Sequence, residues 1–204
     1  MIIMKCRIVD YSKLPVSHTK IKNNIQKTIR EYGYDENVTK VIIGLYDYMT
    51  ENKFFGGCHV LSSVLYVAFS GLGFKTGIFV GECEKKGEKP FDHSWITVDN
   101  KIVDLAIYFP LTQKINSISG PVIFGLDAIN LNDVKTAYGI NTGLPMSIDT
   151  QRVINMSFIE YMDNFPKEPC GLWSVLERVL PSSYHFDLDE LRRKYSNTTR
   201  QFVR

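Results

Sequence analysis

The sequence predicts an α+β protein: a central helix carrying a cysteine, packed on an antiparallel sheet, with further helices in the C-terminal part. Three observations predict it. From residue 59 to residue 70, Val60, Leu61, Val64, Leu65, Ala68 and Phe69 recur at helical spacing with few polar interruptions, so this helix is buried over much of its surface. Residues 93–98 and 101–105 flank Asp99-Asn100, the signature of a two-residue β-hairpin. Segments of helical period also stand on both sides of that pair of elements.

Taken in order, residues 2–9 (Ile2, Ile3, Cys6, Ile8, Val9) read as extended. Ile21, Ile25, Thr28 and Ile29 define a helix over 20–32, and Gly33 stands where it stops. Asp35 caps the next helix, whose apolar stripe is Val38, Val41, Ile42, Leu45 and Met49, ending near Asn52. Gly56-Gly57 interrupts the pattern, Cys58 opens the central helix, and Gly71 and Gly73 close it. Thr76, Ile78, Phe79 and Val80 make 75–83 a strand, and 84–90 is a charged loop.

Beyond Pro110, residues 121–126 and 134–140 read as short strands. Ser147 or Asp149 caps a helix carrying Val153, Ile154, Met156, Phe158, Ile159 and Met162, broken at 166–169 by prolines. Residues 172–180 form a short helix with Trp173, Leu176 and Val179. Residues 187–202 form a final helix, acidic at its start and basic later, as the macrodipole favours. The chain is read as a single domain, 1–204, with 146–204 a helical C-terminal extension.

Composition bounds the function. Of 204 residues, 44% are apolar and 23% charged, as in an ordinary globular protein. A formal charge of +2, with scattered basic residues, argues against a nucleic-acid or membrane partner. No segment is long and unbroken enough to span a bilayer, and the N-terminus shows no signal peptide. Cys6, Cys58, Cys83 and Cys170 form no close framework, so free thiols in a reducing cytoplasm are expected. No cofactor is called for, and the spacing of Cys58, Cys83, His93 and Asp104 fits no familiar metal site.

The chemistry gathers between residues 54 and 104. A cysteine at a helix N-terminus meets free N–H groups and a dipole that favour an anion, and a histidine partner stabilises the thiolate further. Gly56 and Gly57 let a substrate carbonyl approach the backbone, and the Cys58 N–H is placed to donate to an oxyanion. With Asp99-Asn100 as the loop, Val98 faces Lys101, Ile96 faces Val103 and Trp95 faces Asp104. His93, Trp95 and Asp104 then share one face, with Asp104 diagonal to His93. Cys58 is thus the expected nucleophile, His93 its base and Asp104 the group that orients the base. Trp95 is expected in the core or pocket wall. His59, directly after Cys58, projects to another side of the helix and is read as structural; so are Cys6, Cys170, His18 and His185.

This ordered set resembles the transglutaminase-like superfamily of papain-related cysteine enzymes: Gly57-Cys58 and an apolar helix, then Gly71-Leu72-Gly73-Phe74, a strand ending Val80-Gly81-Glu82, His93-Ser94-Trp95-Ile96, and Val103-Asp104. The resemblance covers residues 54–104. It implies a papain/transglutaminase-like core and acyl chemistry through a Cys58 thioester on a peptide, protein or other amide or acyl substrate. Hydrolysis is the favoured outcome; acyl transfer or transglutamination, and an inactive binding module, are the alternatives. The chain is also similar to the arylamine N-acetyltransferase branch. Phe55, however, stands where that branch has an arginine, which argues against coenzyme A-dependent transfer. By analogy with papain-like enzymes, where an amide precedes the nucleophile, Asn52 is an oxyanion candidate beside Gly57; a helix C-terminal role is its competing assignment.

Overall fold

A computed structural model describes residues 16–109 and 119–203. The extended reading of 2–9 falls outside them. Three helices come first: α1 (His18–Glu31), α2 (Glu36–Glu51) and α3 (Cys58–Gly71). Their ends follow local chemistry. The Ser17 hydroxyl accepts from the Lys20 N–H to start α1, and Asp35 accepts from Asn37 and Val38 to start α2. Gly33, at φ +73°, turns the chain between them. Every apolar position expected on α1 and α2 is buried, and Tyr46 joins them.

The main sheet contains β1 (Thr76–Glu84), β2 (Phe91–Val98), β3 (Lys101–Val103), β6 (Ala137–Ile140) and β7 (Gln201–Val203), in the order β3-β2-β1-β6, with β7 also on β1. A 3-10 turn (Ala106–Tyr108) follows β3, and β4 (Val122–Ile123) with β5 (Leu126–Asp127) forms a small second ladder. The hairpin register is the expected one: Val98 opposite Lys101 and Ile96 opposite Val103. Asp99 and Asn100 both take positive φ, +49° and +65°, the conformation a tight two-residue hairpin turn needs. The ladder ends one residue earlier than expected. Asp104 leaves β2 and bridges Val122, exchanging both backbone hydrogen bonds with it at 2.8 Å.

Two expectations for the C-terminal part need correction. The single helix read across 147–162 is two, α4 (Ile148–Asn155) and α5 (Phe158–Asp163). The Ser157 hydroxyl accepts from the Glu160 N–H and caps a new helix, ending the old one at Met156. The final helix, α7 (Leu188–Tyr195), stops early at the polar run Ser196-Asn197-Thr198-Thr199, and the chain turns into β7. β7 runs parallel to β1, with Val80 opposite Phe202, so the sheet is antiparallel except for this one strand. Between them, α6 (Leu172–Val179) buries Leu172, Trp173, Val175 and Leu176 completely.

One core joins these elements. Ten of the fourteen residues of α3 are buried, and the eight of them other than Ser62 and Ser63 share a cluster with Ile78, Ile96, Val98 and Val103 of the sheet and with Phe158, Met162, Trp173 and Leu191. Residues 146–203 are therefore part of the body around α3, supplying core side chains and a strand. The fold class is mixed α and β, with seven helices and a largely antiparallel sheet among the described residues. No helix among them is long and apolar enough to cross a membrane.

Candidate active site

The start of α3 fixes the site. Gly56 sits at φ +64°, a region a side chain resists, and its N–H donates to Phe109 O at 2.8 Å. At Gly57 a Cβ would stand 2.4 Å from the Phe54 ring, so the close approach of that ring requires glycine here. The first bond of the α3 ladder runs from Leu61 N–H to Gly57 O. The N–H groups of Cys58, His59 and Val60 precede it and point out of the helix end, where an anion is favoured.

Two consecutive residues of α3 meet two consecutive residues of β2. Cys58 interacts electrostatically with His93 and favours the charged ring, and His59 Nδ1 shares a 2.5 Å hydrogen bond with Ser94 Oγ. His93 Nε2 lies 2.7 Å from Asp104 Oδ2. A carboxylate only accepts, so Nε2 carries the proton toward Asp104. His93 and Asp104 are thus paired by a hydrogen bond, and Cys58 at the start of α3 acts electrostatically on the same ring. All three are buried; Cys58 is 9% exposed, the most accessible of the three.

Asp104, at 2% exposure, is a buried carboxylate with three donors. Besides His93, the Tyr138 hydroxyl reaches Oδ2 at 2.8 Å and the Ile107 N–H reaches Oδ1 at 3.2 Å. Burying an ionised carboxylate is costly unless its lone pairs are filled in this way. Tyr138 comes from β6, on the far side of β1 from the hairpin, and sequence reasoning missed it. Its place in the segment 134–140 read as a short strand was its one signal, and nothing local links that segment to Asp104. Burial first, then the Asp104 charge, holds the Tyr138 hydroxyl well above its ordinary range, so it remains a donor.

The two histidines differ sharply in charge. Burial disfavours the His93 imidazolium, but the Asp104 carboxylate, Cys58 and the hydrogen bond to Asp104 outweigh it and raise His93 to about 10. His59 is pushed down to about 4, by burial first and then by the His93 and Arg200 charges, with Asp92 opposing. Neutral His59 pins α3 to Ser94, in keeping with its structural assignment. The Cys83 thiol is pushed up, by burial first and then by Asp104, and stays neutral inside the fold.

Trp95 lies under the site as a wall. It is 4% exposed, stacks on Phe79 at 5.7 Å and meets the Tyr138 ring at 5.2 Å. Asn52 is exposed at the C-cap of α2, where its side-chain amide donates to Tyr48 O at 2.8 Å. That is the helix-terminal role. A surface groove of about 620 Å³, lined by Arg30, Lys40 and Arg178 among others, shares no residue with the Cys58 site. No family model, curated protein or solved structure matches the chain.

Proposed function

We propose that this protein is a thiol-dependent hydrolase with a papain/transglutaminase-like core, acting on an amide or related acyl bond through a thioester at Cys58. The observation that carries the reading is the buried His93–Asp104 pair at 2.7 Å, whose ring also interacts electrostatically with a cysteine at a helix start. Cys58 attacks as the thiolate of a thiolate–imidazolium pair. Its sulfur forms a bond to the acyl carbon, and the carbonyl oxygen takes the negative charge beside the Cys58 N–H. The His93 proton passes to the leaving nitrogen as the C–N bond breaks. Water then attacks the thioester, gives a proton to His93 and releases the thiolate. Asp104 holds the ring in the required tautomer throughout.

The test compares Cys58 with Cys170. Cys170 is exposed and Cys58 is buried, so exposure alone favours Cys170. A thiol-reactive acyl probe labels Cys58 faster on this reading, and His93→Ala lowers that rate by on the order of 100-fold. Equal or slower labelling at Cys58 refutes the activated nucleophile.

A further inference from the structure

Arg200 stands at the entrance to β7, and nothing in the triad chemistry uses it. Its guanidinium lies over two rings of α5, 4.6 Å from the centroid of Tyr161 and 5.2 Å from that of Phe158. It also reaches the first turns of α3: Nη2 is 3.5 Å from Ser63 Oγ, and the Ser63 hydroxyl in turn donates to His59 O at 2.7 Å. Nη1 is 3.5 Å from Val153 O. Both contacts lie at the outer limit of a hydrogen bond. Nε is buried and has no hydrogen-bond partner. No carboxylate forms an ion pair with Arg200 among the described residues.

A guanidinium carries five N–H donors in a planar fork that matches a carboxylate two at a time. Here the guanidinium is held over two aromatic rings, so less side-chain entropy remains to be lost on binding. Its donors are nearly unused, and half-burial has already removed much of its water. Such a cation is prepared for an anion that no carboxylate among the described residues supplies.

Its position connects it to the start of α3: the path from Arg200 Nη2 through Ser63 Oγ ends on the carbonyl of His59, the residue after Cys58. Burial raises the Tyr161 hydroxyl above its ordinary value, and the Cys58 charge raises it further while Arg200 opposes. Arg200 also contributes to keeping His59 neutral. The charges of Arg200 and Cys58 thus both act on Tyr161.

We infer that Arg200 is a substrate-binding residue that takes a carboxylate of the acyl substrate, making the Cys58 enzyme selective for acidic acyl compounds. This rests on the hydrolase reading for its chemistry, but the binding can be tested separately. The probes are N-iodoacetylglycine and its neutral counterpart N-iodoacetylglycinamide, reacting at Cys58 of the full chain. The acid-to-amide rate ratio is expected to fall on the order of tenfold in Arg200→Gln and to be partly kept in Arg200→Lys. Taking the ratio within each variant cancels any change in thiol reactivity that both probes share. A ratio that is the same in wild type and Arg200→Gln overturns the assignment and leaves Arg200 a clamp between β7 and α5.

If Arg200→Gln does not fold, the wild-type protein still decides. N-acetylglycine protects Cys58 from iodoacetamide and N-acetylglycinamide does not; equal protection by the two, or none by either, overturns the proposal. Failure of the nucleophile reading shows instead in the absolute iodoacetamide rate and its response to His93→Ala, which neither ratio involves.

Discussion

Cys58 and His59 are adjacent in the chain, yet the two sides of the α3 start that they define are opposite in kind. On the Cys58 side, His93 is paired with a carboxylate and its charged form is favoured. On the His59 side, the imidazole meets a serine hydroxyl and a nearby arginine, and its charged form is expelled. Burial is common to both and works the same way on both. The partners therefore decide the charge: the Asp104 carboxylate at 2.7 Å, together with Cys58, outweighs the desolvation at His93, whereas Asp92 does not offset it at His59. The fold thus puts a proton-carrying ring beside the thiol and a neutral anchoring ring one residue away.

The largest effects come from removing the carboxylate. Asp104→Asn keeps the shape of the side chain and withdraws its charge, so His93 loses the interaction that offsets burial. Alkylation of Cys58 is expected to fall on the order of 100-fold. Asp104→Ala also leaves a buried His93 without its partner and should cost about 3–5 kcal/mol of stability. On the other side, Ser94→Ala removes the His59 contact, and its effect on alkylation should stay within about twofold. Comparable losses from Asp104→Asn and Ser94→Ala would show that the two sides are not functionally distinct. Alkylation kinetics with urea denaturation of each variant measure both quantities.

The sequence made the Cys58 side legible because its information is local. A two-residue loop sets the hairpin register, and that register sets which face Asp104 takes; the glycines and the apolar period set where α3 begins. What was illegible is what arrives from a distance. Asp104 pairs with Val122 rather than continuing along β2, which hydropathy cannot encode. Tyr138 reaches Asp104 from a strand on the other side of β1. Arg200 was read inside a helix because 187–202 carries the acidic-then-basic charge order of one. The run Ser196-Asn197-Thr198-Thr199 and a free site on β1 for a parallel strand outweighed that signal. Ser157, unremarkable in sequence, split another helix by capping. In each case a tertiary pairing or a local side-chain bond overrode a periodic pattern.

Stability against pH distinguishes the two histidines by sign. For His93 the folded value of about 10 lies above the ordinary 6.5. Its contribution is fully present below 6.5 and is lost as pH rises through 10. For His59 the folded value of about 4 lies below 6.5. The unfolded ring binds a proton across that window while the folded ring does not, so stability rises with pH between 4 and 6.5. The wild-type-minus-His93→Gln curve should therefore slope downward from 6.5 to 10, and the wild-type-minus-His59→Gln curve upward from 4 to 6.5. Urea midpoints measured across pH give both curves. Slopes of the same sign would break the comparison.

The smallest effect sharpens it. Tyr138→Phe removes one of the three donors on Asp104 and leaves the ring packed against Trp95. A hydrogen bond to a charged group is worth about 1.5–3 kcal/mol, so stability should fall by about that amount. Alkylation at Cys58 should change by less than about tenfold, because His93 keeps its carboxylate. The reason lies in the geometry: Tyr138 and His93 share Oδ2, so losing the hydroxyl concentrates the charge that remains on the atom His93 contacts. The His93 titration, followed by NMR of its ring protons, should therefore stay above 6.5 and not move toward His59. A fall below 6.5 would mean that Tyr138, and not the carboxylate alone, sets the difference between the two sides.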